Sequence, residues 1–272
     1  MKESFKDYLI NEEKAAATVN KYLHDVGEFQ IWLSEQELCK TVVLAYKSYL
    51  CEHYAPASVN AALSSLNSFF NFMEWYDLRV KNLKIQKQIF ASTDKELTKD
   101  EYDRLLNVAK QKKNERLYLL MQTICSTGIR VSEVRYITVD AVARGIAEIN
   151  CKGKRRQVFL PKQLCQILKQ YIKEQKIKSG AVFVTKNGNP LDRSNIWSDM
   201  KKLCKAANVS DKKVFPHNLR HLFARTYYSL QKDIVRLADI LGHNSVNTTR
   251  IYTMETGEIH RRQIQKLGLL RC

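Results

Sequence analysis

Only 9 glycines and 4 prolines are spread over 272 residues, and neither an internal repeat nor a low-complexity run accompanies them. A chain so poor in turn formers is neither collagen-like nor a disordered tail. No apolar run approaches the ~20 residues that span a bilayer as a helix, and the opening Met-Lys-Glu-Ser-Phe-Lys-Asp is not a signal peptide. A cytoplasmic protein without a membrane partner is expected. The seven cysteines (Cys39, Cys51, Cys125, Cys151, Cys165, Cys204, Cys272) are odd in number and never form a Cys-x-x-Cys pair. Their scatter suits a reducing compartment and argues against a zinc ribbon or a disulfide framework. Acidic residues are scarce as well, 28 Asp+Glu against 45 Lys+Arg, for a formal net charge of +17.

What is present points to a folded, helix-rich protein. Apolar residues make up 44% of the chain, enough to bury a large core, and the length suits two domains better than one. The charge is uneven. Residues 1–82 carry 8 Lys/Arg against 11 Asp/Glu, a net of −3, whereas residues 83–272 carry 37 against 17, a net of +20. A field of that sign attracts polyanions, of which nucleic acid is the commonest in a soluble protein; the competing reading is ordinary surface solvation by lysine.

The first ~80 residues read as a small four-helix-like unit. Thr18 is placed to cap a segment with Val19, Tyr22, Leu23, Val26 and Phe29 at helical spacing, Val42–Leu50 carries another apolar face, and Ser58 is placed to cap a segment running through Val59, Leu63, Leu66 and Phe70. Residues 83–96 are polar, aperiodic and basic, and read as a linker. A second domain, 97–272, opens on the capping box Thr98-Lys-Asp-Glu101. Leu117–Ser126 is apolar nearly all round, which predicts a buried helix ended by Gly128. Between Gly145 and Pro161 the period changes to strand, basic turn (Lys152-Gly153-Lys154-Arg155) and strand, a hairpin, and Ala181–Val184 reads as a third strand.

Several side chains stand at constrained positions. Arg130 lies where a new helix begins beyond Gly128, a natural anion site; a surface ion pair with Glu133 explains it equally well. His217 and Arg220, three apart, share a helical face and can converge on one phosphate. His217 and His221, four apart, invite a metal reading, but Asn218 stands where the zincin motif needs Glu. His243 falls just past the helix Asp233–Leu241 and its cap Gly242, and Tyr252, beside Ile251, reads locally as a core tyrosine.

Taken together, Ser126-Thr-Gly-Ile-Arg130-Val-Ser-Glu133, Lys152 in Cys-Lys-Gly-Lys, His217-x-x-Arg220-His221, Leu241-Gly-His243 and Tyr252 resemble, in this order, the signature of the tyrosine recombinases, nearest in likeness to the short Xer-type and integrase members from bacteria. His217 precedes His243 by 26 residues and His243 precedes Tyr252 by nine, and Ala57–Phe70 is similar to a helix of the family's core-binding domain. The resemblance covers almost the whole chain.

It implies a mainly α fold with a small β-sheet: an N-terminal helical core-binding (SAM-like) domain, 1–82, and a mixed α/β catalytic domain, 97–272, forming a C-shaped DNA clamp. It implies a site-specific recombinase in which Tyr252 attacks a DNA phosphate to give a 3′-phosphotyrosine bond and a free 5′-hydroxyl, with no cofactor and no metal. Arg130 and Arg220 would hold the non-bridging oxygens, Lys152 would protonate the leaving 5′-oxygen, His217 would act as acid/base, and His243 would hydrogen-bond the phosphate. The cations around Tyr252 would lower its pKa, and Glu133 would orient Arg130. Lys154, Arg155, Arg156 and His221 would touch DNA. The partner implied is double-stranded DNA with paired inverted-repeat sites, bound by a homotetramer, or a heterotetramer with a paralogue, in which Ile259, Ile264 and Leu267 form an exchanged C-terminal helix. One departure stands out. The helix matching Ser58–Phe70 usually carries DNA-facing arginines, and here has Asn60, Ala61, Ala62 and Asn67. Rival readings are a catalytically silent DNA-binding protein of the same fold, a type IB topoisomerase-like enzyme, and a metal-dependent hydrolase using His217 and His221.

Overall fold

The computed structural model describes residues 2–85, 95–151, 154–185, 187–252 and 264–267. The helical spacing of the first 80 residues is realised as α1 (Lys2–Asn11), α2 (Ala16–Leu33), α3 (Lys40–His53) and α4 (Pro56–Phe72). Their apolar stripes meet in a core that includes Phe5, Leu9, Phe29, Val43, Leu63, Leu66 and Phe70. Two helix starts differ from the sequence expectation. The N-caps are Ala15 and Ala55, not Thr18 and Ser58. In α4 the reason is Pro56, whose fixed φ suits the first helical position and whose missing N–H is an orphan there anyway. In α2 the carbonyl of Ala15 accepts the N–H of both Thr18 and Val19, so the alanine run is already helical.

The asparagines of α4 have a definite task. Asn60 donates Nδ2 to the Leu83 carbonyl at 3.0 Å and accepts the Leu83 N–H at 2.7 Å. Asn67 does the same with Val80, at 2.8 and 2.9 Å. Each amide thus mimics a neighbouring strand and fastens the segment leaving the first unit, which runs from Met1 to Gln88.

The second unit, Ile89–Cys272, is built round α6 (Glu115–Thr127). Before it comes α5 (Lys99–Gln111), opened by the Thr98/Glu101 capping box in reciprocal form. In α6 Leu117, Leu119, Leu120, Met121 and Ile124 are all buried. Gly128 ends the helix at φ +65°, a conformation that costs a side chain about 1–2 kcal/mol. A 3₁₀ helix (Val131–Tyr136) and α7 (Val139–Arg144) follow, then β1 (Ile146–Cys151) and β2 (Lys154–Phe159). These strands pair antiparallel from Ile146↔Phe159 to Cys151↔Lys154; Lys152 and Gly153 lie outside the described residues.

Ala181–Val184 is not a third strand: it makes only isolated bridges, Thr138↔Ala181 and Val184↔Pro190. Its neighbour at Ile137 and Thr138 turns directly into α7, and the loop closed by Thr185 and Asn189 curls the other end, so no extended partner is available. The apolar pair Val182 and Phe183 is buried all the same.

The chain continues through α8 (Lys162–Glu174), α9 (Arg193–Lys201), α10 (Cys204–Ala207), α11 (Pro216–Gln231), α12 (Ile234–Leu241) and α13 (Val246–Thr249), and a 3₁₀ turn, Arg250–Tyr252. Ala224, Leu237, Leu241 and Tyr252 form a satellite cluster apart from the main core. Of the proposed tail helix, Ile259 lies outside the described residues, while Ile264 and Leu267 are each 62% exposed. Among the described residues no helix is long and apolar enough to cross a membrane.

Candidate active site

Two glycine-capped helix ends define the site. At Gly128 and Gly242, both left-handed, α6 and α12 stop and leave their last carbonyls without helical partners. Those carbonyls carry the negative end of the helix dipole, and arginines satisfy them. Arg220, on α11, donates Nη1 to the Gly128 carbonyl at 2.5 Å and Nη2 to the Leu241 carbonyl at 2.7 Å. It is 1% exposed, the largest fully buried side chain of those described. Burial, with repulsion from Arg130, brings its pKa down to about 10.

Arg130 belongs to a second arrangement. It caps the 3₁₀ helix Val131–Tyr136, and Glu133 answers in capping-box fashion, accepting the Arg130 backbone N–H on Oε2 at 3.0 Å and its Nη1 on Oε1 at 2.9 Å. Nη2 of Arg130 reaches the Gly242 carbonyl at 3.1 Å. Arg156, from β2, donates Nη2 to Glu133 Oε2 at 2.5 Å and Nη1 to the Ile240 carbonyl at 2.6 Å. Burial alone would raise the Glu133 carboxyl, but the Arg130 N–H, the Arg156 charge and the Arg130 side chain together hold it below the usual carboxylate range.

His243 follows Gly242, and its ring lies between two partners. Nη2 of Arg220 donates to Nε2 at 3.0 Å, and Nδ1 is 2.8 Å from Thr249 Oγ1. Arginine can only donate, so the proton of the neutral imidazole sits on Nδ1 and bonds Thr249. Burial, then Arg220, Arg130, Arg156 and His217, push the His243 pKa down to about 4.

Tyr252 is 5% exposed and stands between two imidazoles, its ring edge-on to His221 at 4.9 Å and stacked with His243 at 6.2 Å. Of the cations expected around it, Arg220 and Arg130 act on it. The expected direction of its pKa is not what results: burial raises it, and Arg220 and Arg130 offset that only in part. The phenol is therefore neutral at neutral pH. His217, one turn before His221 and 4.4 Å from it, remains exposed. Partial burial and the charges of Arg220, Arg130 and Arg193 place it below the ordinary imidazole value, so it can accept a proton.

The structure thus gathers Arg130, Glu133, His217, Arg220, His243 and Tyr252; Lys152 lies outside the described residues. The four residues expected to touch DNA separate. Arg155 is exposed, whereas Arg156 turns inward onto Glu133, because consecutive strand residues face opposite sides. His221 is also turned in, beside Tyr252, with Nε2 buried and unpartnered among the described residues; burial and His217 lower its pKa to about 4. The side chain of Lys154 is outside the description. Among the described residues no three His, Cys, Asp or Glu side chains converge as metal ligands. Sequence reasoning missed Thr249, which is completely buried against His243; its only local signal is a threonine one short helix beyond the histidine.

The two depressed histidines make stability depend on pH. His221 and His243 are neutral when folded down to about pH 4, but in the unfolded chain they take up protons below about pH 6.5. The stability they confer is complete above pH 6.5 and is lost progressively toward pH 4, on the order of 3 kcal/mol for each. Urea unfolding midpoints should fall steeply between pH 6.5 and 4.5; a flat profile over that range would contradict the burial of both rings.

The sequence profile described as "Phage integrase family" matches residues 95–258, and that described as "Phage integrase, N-terminal SAM-like domain" matches residues 3–76. Tyrosine recombinase XerA of Thermococcus kodakarensis is 31% identical over 277 residues, covering 98% of this chain and 95% of the relative. Tyrosine recombinase XerD of Lacticaseibacillus casei is 30% identical over 275 residues, 92% of each chain. Among solved structures, a lambda integrase (residues 75–356) dimer bound to a COC′ core site has a TM-score of 0.75 at 17% identity over 94% of each chain. XerH recombinase in a pre-cleavage complex with its difH substrate has a TM-score of 0.72 at 19% identity, covering 97% of this chain and 84% of that one. At these identities the two structures show a shared fold.

Proposed function

The chain belongs to the phage integrase family and is a site-specific tyrosine recombinase, an enzyme that breaks and rejoins DNA, and from this premise we propose that Tyr252 is its nucleophile and Arg130, Lys152, His217, Arg220 and His243 are its catalytic residues. Tyr252 Oη attacks the scissile phosphorus, the P–O5′ bond breaks, and the phosphotyrosine bond conserves the energy for rejoining. The phenol proton passes to His217, whose lowered pKa keeps it unprotonated, and Lys152 protonates the departing 5′-oxygen. Arg130 and Arg220 hold the non-bridging oxygens as charge develops on them. When phosphate enters, Arg220 turns a donor from His243 toward it, the imidazole proton moves to Nε2 while Nδ1 accepts from the Thr249 hydroxyl, and Nε2–H donates to a phosphate oxygen. Glu133 keeps Arg130 oriented. What carries this reading is one observation: Arg220 is fixed by two helix ends next to both His243 and Tyr252.

The substrate of this reading is double-stranded DNA with paired inverted repeats, bound by residues 1–82 and by residues 97–272, with 83–96 as the linker. Four copies, or two of this chain with two of a paralogue, assemble on two sites in the cytoplasm through the tail around Ile264 and Leu267, whose exposure leaves them free to meet a neighbour. Exposed Arg155 and the excess of positive charge beyond residue 82 supply the grip on the backbone. The test is covalent trapping on a nicked duplex carrying a site selected by the full chain from random DNA. A metal-independent adduct whose peptide map places the nucleotide on Tyr252 is expected; an adduct on another residue, or none, overturns the assignment.

A further inference from the structure

Of the two hairpin cations whose side chains are described, Arg155 is exposed and Arg156 is committed to the inside of the domain. Its side chain is 16% exposed, and all its described bonds lead to two segments of the site: Glu133, and through it Arg130, on one side, and the Ile240 carbonyl on the other. The fit is close. A Cβ added at Gly242 would stand 2.5 Å from Arg156 Cδ and 2.9 Å from Nε, so the guanidinium stem fills the space beside the turn that presents His243. Its Nε is buried and unpartnered among the described residues. A DNA phosphate would have to displace a carboxylate held at 2.5 Å, so electrostatic grip on DNA does not account for this placement.

We infer that Arg156 is a positioning residue for strand cleavage, acting through Glu133 to hold Arg130 in its bonded geometry and clasping the Gly242–His243 turn against β2. The inference rests on the reading of Arg130 and His243 as catalytic residues. Its physical content is that Glu133 orients Arg130 only while ionised. The charged groups facing that carboxylate are Arg130 from the 3₁₀ helix, Arg156 from β2 and, at longer range, Arg220 from α11. Burial disfavours the ionised form, and Arg156 supplies the largest of the opposing charges. Without Arg156 the carboxyl pKa rises, and Glu133 takes up a proton as pH falls. Arg130 then loses its acceptor while the fold as a whole is retained.

The experiment is single-turnover adduct formation by the full chain on the selected nicked duplex, at saturating protein, from pH 8 to pH 6, comparing wild type with Arg156→Met, Arg156→Lys, Glu133→Gln and the double variant Arg156→Met/Glu133→Gln. For Arg156→Met the loss relative to wild type should be about tenfold at pH 8 and deepen to about 100-fold at pH 6. Arg156→Lys, which keeps the charge, should show a smaller loss independent of pH. The double variant should be no worse than Glu133→Gln and should lose the extra pH dependence, since an amide does not titrate. A constant ratio of Arg156→Met to wild type across the range, or additive losses in the double variant, overturns the inference in favour of a plain packing or DNA-binding role. If Arg156→Met does not fold, Arg156→Gln, uncharged but still able to donate, carries the same comparison. Failure of the underlying reading is seen separately, as wild type giving no Tyr252 adduct on this duplex.

Discussion

Arg220→Lys should form the Tyr252 adduct about 10³-fold more slowly than wild type on the nicked duplex, a larger loss than any other retained-charge substitution in the site. The arginine spans two carbonyls and His243 with a planar fork; a single ammonium cannot reach the Gly128 and Leu241 carbonyls together and still face a phosphate. Charge is lost as well as shape. The surroundings that bring arginine down to about 10 would act on a lysine whose ordinary value is already near ~10.4, moving it toward neutrality at working pH. Removing one pre-oriented donor from a developing oxyanion costs about 10²–10³ in rate, and the carbonyl left unpaired costs about 1–3 kcal/mol of stability. Adduct yield over time and urea unfolding on the same preparation measure both. Retention of activity within tenfold of wild type would show that Arg220 serves the fold and not the phosphate.

Gly128→Ala should destabilise the second unit by clearly more than backbone strain alone accounts for. Gly145→Ala is its control. Both glycines adopt left-handed backbone, at φ +65° and +75°, but nothing lies within 4 Å of a Cβ built on Gly145, whereas one on Gly128 would stand 2.5 Å from the Phe223 ring and 3.1 Å from Leu241. The control therefore costs only backbone strain, about 1–2 kcal/mol, while Gly128→Ala adds overpacking of about 1–3 kcal/mol. The displaced Phe223 is the third residue along α11 from Arg220, so adduct formation should fall as well. Equal unfolding midpoints for the two variants would contradict this account.

Most of the fold was legible because it rests on local rules. The capping box at Thr98, the all-round apolar helix ended by Gly128, and the hairpin each follow from short-range spacing, and each is found, although Lys154 and Arg155, read as part of the turn, belong to β2. Where the reading failed, something non-local or a competing local rule decided. Pro56 and the alanines before Thr18 started helices ahead of the better capping side chains. Ala181–Val184 has strand composition, but a strand needs an extended neighbour, and the one it meets becomes a helix. In the site, the identity of the gathered residues was legible from their order and spacing, whereas their electrostatics were not. Charge counting predicts a depressed phenol at Tyr252; the burial that reverses it depends on Ala224, Leu237 and Leu241, contributed by two other helices. Treating Arg155 and Arg156 alike ignored the two-residue period of a strand, which sends one to solvent and the other to Glu133. Asn60 and Asn67, read as missing arginines, are engaged with the backbone at Leu83 and Val80.

The satellite cluster has a consequence for motion. Tyr252 belongs to a small cluster with Ala224, Leu237 and Leu241, lined by Phe223, Tyr227 and Tyr228 and by the rings of His221 and His243, and not to the main core. A segment with so little buried area opens at a cost well below that of global unfolding. Amides of α12 and α13 should therefore exchange with solvent through excursions that leave α6 intact. Each excursion parts Arg220 from the Leu241 carbonyl and His243 and carries the phenol away with them, so the proposed nucleophile loses Arg220 as it opens. In an enzyme that breaks DNA, a tyrosine that parts from Arg220 whenever its segment opens is a safeguard against stray cleavage.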